Sequence, residues 1–159
     1  GQQGGLQTNG GFGGGQTGDG VFVSDGVDTL LIGSTLDPIL SDIQFFHPVL
    51  SDSGIVAFYG LDLNGNEALF AGDGTDLVRV LGAGDAVMTP DGVRFVAPDR
   101  FGGNPSINAA GDIAFNVFLN NADGSEYGRV IGIAAVPAPG TAGLLAAAGL
   151  IAARRRRGN

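Results

Sequence analysis

The feature that most constrains the fold is an internal repeat. Residues 21–28 (VFVSDGVD) match residues 69–76 (LFAGDGTD) at an offset of 48, and the aspartates that follow, Asp37 and Asp85, keep the same offset. A repeated segment of this kind determines the fold class, because each copy is a structural unit that buries its apolar face against a neighbouring copy. We therefore expect the chain to be an array of similar units.

A second block repeats further along the chain at a longer offset. Residues 48–58 (PVLSDSGIVAF) resemble residues 105–115 (PSINAAGDIAF) at an offset of 57, so nine extra residues lie within residues 86–104 of the second copy. A third block, residues 62–67, corresponds loosely to residues 120–126. The predicted units are residues 21–68, residues 69–126 and a partial unit of residues 127–135.

Each unit is composed of short apolar or β-branched runs. These runs are bounded by Asp-Gly, Ser-Gly or Asn-Gly pairs, which supply the positive φ that tight hairpin turns need. No stretch before residue 136 keeps a helical apolar period over three turns. The pattern predicts an all-β domain of short antiparallel strands over residues 21–135. The predicted strands are residues 21–23, 29–32, 55–59, 68–71, 77–81, 93–96, 113–119 and 129–133.

A unit of about 50 residues with about four strands has the size of a β-propeller blade. Two to three blades cannot close a ring. We favour a truncated, partial β-propeller-like repeat array with further blades upstream; the alternative is a smaller sandwich or an open sheet with exposed edges. Residues 1–20 are Gly-rich and of low complexity, so we expect a flexible lead-in or the frayed edge of a missing repeat.

The repeats resemble those of large bacterial surface proteins of unassigned function. The resemblance rests on a Gly-(Ile/Val)-Phe-x-x-Asp-Gly strand, a Pro-x-(Leu/Ile)-(Asn/Ser)-x-x-Gly-x-(Val/Ile)-Ala-Phe strand and an intervening Gly-Asp pair, and it covers residues 20–133. It implies a location at the cell surface and adds no specific chemistry.

The C-terminal residues 136–159 have a different composition. Val136, Pro137, Ala138 and Pro139 precede an apolar stretch, residues 141–153, and the chain then carries Arg154, Arg155, Arg156 and Arg157. The two prolines keep the first segment extended and accessible. The Ala- and Leu-rich stretch favours a helix of roughly 20 Å, which is shorter than the ~30 Å hydrocarbon core of a membrane. The sequence predicts one short, marginal transmembrane helix with a cytoplasmic basic stop.

This layout resembles the PEP-CTERM sorting signal of exported bacterial proteins, which the membrane peptidase exosortase processes. Here Pro137-Ala138-Pro139 stands in place of Pro-Glu-Pro. The resemblance implies that residues 136–139 are the recognition motif, residues 141–153 the transmembrane helix and residues 154–157 the stop. It also implies transient retention in the inner membrane, removal of the tail, and release or attachment outside the cell. The alternative is an Ala-rich helix packed on the β domain.

Composition excludes several other classes of protein. Before the tail, four arginines stand against 16 acidic residues, a net charge of roughly −12 that repels nucleic acid. With no Cys and a single His, the chain lacks the side chains needed for disulfides, nucleophile–base pairs and zinc sites. That histidine, His47, precedes Pro48 and is interpreted as structural. We predict a protein with no enzymatic activity and no cofactor.

Asp62, Asn64 and Asn66 form a weak calcium candidate. They alternate as the oxygen ligands of a calcium loop do, but such a loop needs Gly at its sixth position and Glu at its twelfth. The chain has Glu67 and Asp73 at those positions. We therefore favour a hairpin turn at this place.

We expect a structural or adhesive protein of the cell surface or extracellular matrix. The expected partners are an exosortase-like membrane peptidase, the inner membrane during sorting, and an extracellular polysaccharide. The alternative is a carbohydrate-binding or hydrolytic β-propeller, in which loops such as residues 86–104 would line a site.

Overall fold

The computed structural model describes residues 18–44 and 47–136, and the main chain of residues 3–7. These residues contain thirteen strands and no helix, so the all-β prediction is confirmed. Each of the eight predicted strands overlaps an observed one. The strands are β1 (Gln3–Gln7), β2 (Gly20–Ser24), β3 (Thr29–Ser34), β4 (Asp42–Ile43), β5 (Val49–Leu50), β6 (Val56–Leu61), β7 (Glu67–Gly72), β8 (Leu77–Gly82), β9 (Ala86–Thr89), β10 (Gly92–Phe101), β11 (Ser106–Ile107), β12 (Ile113–Asn120) and β13 (Glu126–Ala134).

The strands form three antiparallel sheets. The first sheet has the order β1-β2-β3. In the middle sheet β4 and β5 share one edge of β6, and β7 and β8 follow on the other side. In the last sheet β10 and β11 share one edge of β12, β13 pairs with the other edge, and β9 lies outside β10. The fold includes a sheet that curls like half of a barrel.

The matched sequence blocks pair in the same register. In the first sheet Val21 pairs with Gly33, and a bulge follows. In the middle sheet Leu69 pairs with Leu81, and these two residues stand 48 positions after Val21 and Gly33 respectively. A bulge follows here as well. The pairing of β5 with β6 recurs in that of β11 with β12 at an offset of 57. Similar sequence therefore gives the same local pairing at each place.

The repeated aspartates act as turn residues. Asp25 Oδ1 accepts the N–H groups of the residues two and three positions later, at 2.9 Å, and Asp73 Oδ1 does the same at 2.8 and 2.9 Å. Asp37 and Asp85 each accept the N–H group of the residue three positions earlier. A carboxylate that closes a turn in this way fixes where each hairpin reverses.

The middle sheet is buried on both faces. One face of it packs with the first sheet, in a core that includes Val21, Phe58 and Phe70. The other face packs with the last sheet through residues such as Tyr59 and Leu69. All of β7 and nearly all of β6 is buried, whereas residues of β12 alternate between buried and partly exposed. Of the three sheets in the described part of the chain, only the middle one therefore has a neighbouring sheet on each side.

The nine extra residues of the second unit are divided between two places. Phe95 and Val96 pair with β12 near the hairpin turn, as Asp42 and Ile43 pair with β6. Five extra residues precede that pairing and form β9 with its turn into β10. The other four, residues 97–100, form a bulge within β10, between its pairings at Val96 and at Phe101.

One strand lies in the segment expected to be a flexible lead-in. The main chain of β1 pairs with β2 along five residues. Strand pairing uses main-chain groups, so a Gly- and Gln-rich sequence with no apolar run can add a strand to an edge that is already formed. This strand is a feature that the apolar pattern of the sequence did not indicate.

Candidate binding surface on the last sheet

Most of the predicted sorting signal lies outside the described residues. Pro137, Ala138 and Pro139, the apolar stretch, and residues 154–157 belong to that part of the chain. Val136 is described, and it packs against the core between the middle and last sheets, two residues after β13 ends. Within the described part of the chain, no helix has the length and apolar character needed to cross a membrane.

The calcium candidates form the turn between β6 and β7. Asp62 Oδ1 accepts the N–H groups of Asn64 and Asn66, at 2.8 and 3.1 Å, and Asp62 Oδ2 lies 3.7 Å from Arg79 Nε. The favoured hairpin turn is present, and both oxygens of the Asp62 carboxylate have protein partners. Among the described residues no group of three or more His, Cys, Asp or Glu side chains is placed to hold a metal ion.

His47 is exposed at the start of the segment that leads into β5. Because it lies next to Pro48, its main chain is biased towards an extended conformation. The structural role of His47 stays a prediction.

The bulge of β10 is held in place by the middle sheet. Phe101, which follows it, donates its N–H to Glu67 Oε2 at 2.9 Å, and Glu67 is only 5% exposed. The ring of Phe101 packs against the ring of Tyr59, with centroids 5.1 Å apart. Within the bulge Asp99 has a φ of 49°, a left-handed conformation that is uncommon for a residue other than glycine. The bulge is therefore a fixed feature of the last sheet.

Tyr59 lies beside this anchor in an apolar environment. Burial, and secondarily the negative charge of Glu67, raises its pKa to about 12. A hydrogen bond with the main chain of Asn116 lowers the pKa and partly offsets the increase. The phenol of Tyr59 is therefore kept neutral and serves the packing of the middle sheet on the last.

The outer face of the last sheet is the side turned away from the middle sheet. In β12 and β13, residues that alternate with the buried ones point to this side. Cross-strand pairs on it join Phe118 to Arg129 and Asn116 to Ile131. The residues of the outer face are Ala114, Asn116, Phe118, Asn120, Arg129, Ile131 and Ile133.

Two guanidinium groups flank the ring of Phe118. The Cζ atoms of Arg100 and Arg129 lie 5.4 and 5.8 Å from its centroid. Arg129 Nε also donates to Asn116 Oδ1 at 2.7 Å, and Arg100 Nη1 lies 3.4 Å from Glu126 Oε2. Aromatic rings attract guanidinium groups through the negative potential of the ring face. The result is an aromatic centre with two cations beside it.

A pocket of about 340 Å³ opens beside this centre. The bulge of β10 forms one wall, and β12 with the β12/β13 turn forms the other. The volume is at the lower end of the range for sites that hold small molecules, about 300–1,000 Å³. The lining residues are Ala97, Pro98, Arg100, Phe118, Asn120, Gly124 and Glu126.

The arginines outside the tail are unevenly distributed. Arg79 is in the middle sheet and pairs with Asp85 at 2.9 Å. Arg94, Arg100 and Arg129 all belong to the last sheet, although the chain as a whole carries a net charge of −8. Arg94 stacks on Tyr127, away from the pocket-lining residues, at 4.5 Å from the ring centroid. Two of the three cations of the last sheet therefore stand together at Phe118.

The sequence indicated only one wall of this surface. Residues 86–104 were named as a possible site-lining loop, and residues 97, 98 and 100 do line the pocket. Phe118, Arg129 and Asn116 were missed. Two signals could have revealed them: the alternation in residues 113–120, where every second residue is Ala, Asn or Phe, and the concentration of arginines after residue 90.

Comparisons with known proteins do not identify the chain: no family model, no curated protein and no solved structure matches it.

Proposed function

We propose that the chain is an exported protein of the bacterial cell surface or extracellular matrix, which a C-terminal signal sorts. The observation that carries the proposal is the order of features in residues 136–159. A Pro-Ala-Pro motif, an apolar stretch of 13 residues and four arginines follow β13 in the sequence. Val136 is packed against the β-domain, so the proposed recognition motif would start at the surface of the folded body.

The proposed body is a propeller-like array of β-repeats with a structural or adhesive role. Support comes from the way in which the sheets are stacked. The face of the first sheet that carries Val21 packs on the middle sheet, and the equivalent face of the middle sheet, which carries Leu69, packs on the last. Successive blades of a propeller pack in this head-to-tail manner.

A carbohydrate-binding or hydrolytic propeller is the second candidate. The observation that favours it is the pocket between the β10 bulge and β12, because the extra residues of the second unit form one of its walls. Insertions in a repeat map to loops on one face, which is often the binding face.

Sorting can be tested with the full-length protein in a bacterium that has an exosortase. Arg154, Arg155, Arg156 and Arg157 are replaced by Gln, and separately Pro137 and Pro139 by Ala. We expect both variants to accumulate with the tail attached, whereas the wild-type protein loses it and reaches the medium or the cell surface. Fractionation and the intact mass of the product give the result.

Matched controls keep the type of change and move it into the body. Arg94→Gln with Arg100→Gln and Arg129→Gln removes arginines away from the tail, and Pro98→Ala removes an exposed proline. These variants should be sorted as the wild type is. If the tail variants are also processed and exported normally, residues 136–157 are not a sorting signal.

A further inference from the structure

We propose that the outer face of the last sheet binds a polysaccharide that carries intermittent carboxylates. Phe118 would be the platform for a sugar ring, and Arg100 and Arg129 would bind the carboxylate. The inference rests on the proposed surface function for its biological setting, since a matrix or surface protein meets such polymers outside the cell. Binding itself can be measured independently of sorting.

Packing among the described residues does not account for the side chains at this face. Counted from the hairpin turn, the pair of Phe118 and Arg129 takes the place that Tyr59 and Leu69 hold in the middle sheet. Tyr59 and Leu69 are both 0% exposed and form part of the core. Arg129 is exposed. The last sheet therefore has a cation on the face where the middle sheet buries apolar side chains.

The neighbouring cross-strand pair on this face also differs from the corresponding pair of the middle sheet. Counted from the hairpin turn in the same way, the pair of Asn116 and Ile131 corresponds to Ala57 and Ala71, which are at most 1% exposed. Asn116 brings a polar side chain to this face, and Ile131 is 60% exposed. A face with these polar groups is poorly suited to receive another sheet, because burying them would require new partners for each. It is suited to a ligand that brings its own polar groups.

The two cations are available to a ligand. Arg129 makes one hydrogen bond, to Asn116, and no ion pair with any carboxylate of the described residues. In the ion pair of Arg100 with Glu126, the two side chains are 53% and 59% exposed. Exposed ion pairs of this type contribute little to stability, so a ligand carboxylate can replace Glu126 at small cost.

The chemistry of the face matches an acidic sugar polymer. A guanidinium group binds a carboxylate through two parallel hydrogen bonds. An aromatic ring offers an apolar surface to the C–H groups of a sugar, while Asn116 and Asn120 can bond to hydroxyl groups. The row of outward residues along β12 gives an extended surface for a chain-like ligand. The pocket beside Phe118 has room for a sugar unit.

Charge argues for sparse carboxylates and against nucleic acid. Among the described residues this face has two cations, Arg100 and Arg129, with Glu126 beside them, on a body with a large excess of acidic residues. Nucleic acid carries a phosphate on every nucleotide, and its binding needs many cations. A polymer with a carboxylate on every second sugar needs fewer, and the sugar rings between them can use Phe118.

The test uses the 159-residue chain in mild detergent and hyaluronan oligosaccharides, in which every second sugar is a uronate. Isothermal titration calorimetry at low salt should show binding. The same oligosaccharide with its carboxylates reduced to alcohols should bind at least about tenfold more weakly, the loss that follows from removing a charged hydrogen-bond partner.

Variants distinguish the face from general charge effects. Arg100→Gln and Arg129→Leu should each weaken hyaluronan binding about tenfold, and Phe118→Ala should weaken it at least as much. Arg129→Leu introduces the residue that the middle sheet has at this place, so it is expected to leave the fold intact. Arg94→Gln is the matched control, with the same loss of charge on the same sheet, and should change affinity less than twofold.

Several results would overturn the proposal. They are a lack of hyaluronan binding, equal binding of the reduced oligosaccharide, an equal effect of Arg94→Gln, and tighter binding of single-stranded DNA than of hyaluronan. The variant with Arg154, Arg155, Arg156 and Arg157 replaced by Gln should bind hyaluronan as the wild type does. A failure of sorting and a failure of glycan binding are therefore separate outcomes.

Discussion

The middle and last sheets have equivalent strands but different outer environments. In the middle sheet β6 and β7 are buried on both faces, and the residues directed to the last sheet are Ala57, Tyr59, Leu69 and Ala71. In the last sheet, as far as the described residues extend, only one face is buried, and the corresponding positions on the other face, counted from the hairpin turn, are Asn116, Phe118, Arg129 and Ile131. The comparison shows that the two sheets share their strand pairing and one buried face. The residue types and exposure of the second face differ with whether another sheet packs against it.

The largest effect is expected when the charged residue of the last sheet is placed in the middle sheet. Leu69→Arg buries a guanidinium group with no partner, which should lower the free energy of unfolding by more than about 3 kcal/mol. Urea denaturation followed by circular dichroism measures the change. The reverse substitution, Arg129→Leu, should alter stability by less than about 0.5 kcal/mol. Similar losses for the two would mean that the outer face of the last sheet is also packed.

A smaller effect is expected at the contact that joins the two sheets. Glu67→Ala leaves the buried N–H of Phe101 without its acceptor, which should cost about 1–3 kcal/mol. Glu67→Gln keeps an oxygen acceptor and should cost less. Hydrogen exchange at Phe101 should become faster only in the alanine variant. An unchanged exchange rate would show that Glu67 does not hold the β10 bulge.

High pH should weaken the packing between these sheets. The folded pKa of Tyr59, about 12, lies above its ordinary value of 10, so its neutral form stabilises the fold fully below pH 10 and this contribution is lost as the pH rises through 12. Absorbance of the phenolate and stability can be followed together. Tyr59→Phe should remove both the absorbance change of this phenolate and the accompanying loss of stability. A wild-type protein with equal stability at pH 9 and pH 12 would contradict the raised pKa of Tyr59.

Low pH should affect the turns in all three sheets to a modest extent. Hydrogen bonds from the main chain of Asp28 and of Asp76 are the main causes that lower the pKa of Asp25 and of Asp73, and the hydroxyl of Ser125 is the main cause at Asp123. Folded pKa values below 3.8 mean that the carboxylates stabilise the fold above that pH, and the contribution is lost as the pH falls through the folded pKa. Melting temperatures between pH 5 and pH 2 should fall, and less steeply in Asp73→Asn.

The smallest effect is expected for calcium at the turn of the middle sheet. The carboxylate of Asp62 already accepts two N–H groups and lies near Arg79. Adding calcium should leave the melting temperature unchanged within error, and so should a chelator. A rise that the chelator reverses, and that Asp62→Asn abolishes, would restore Asp62, Asn64 and Asn66 as a calcium site.

Local sequence was sufficient for eight of the thirteen described strands and for their turns. Apolar runs bounded by Asp-Gly and Asn-Gly pairs place the hairpins, because a turn depends on residues close together in the chain. The short strands β4, β5, β9 and β11 were not predicted, because strands of two to four residues carry too few side chains to show a period. Strand β1 was missed for a related reason: its pairing depends on an edge that β2 provides.

The binding surface depended on contacts that the sequence does not show. Arg100 and Arg129 are separated by 29 positions, and the pairing of β10 and β13 with opposite edges of β12 brings both beside Phe118. The length of the insertion was evident from the two repeat offsets, but its division into five and four residues was not. That division depends on where β10 regains its pairing with β12.

The sequence by itself determined the all-β class, the repeated strands, the turn residues and the layout of the tail, because each depends on neighbours within a few positions. Tertiary structure decided which face of each sheet is buried and where the exposed cations meet. An alternating strand sequence indicates only that the two faces of the strand differ. Packing against another sheet decides which face is buried. That is why equivalent positions hold Leu69 in a core and Arg129 on a surface.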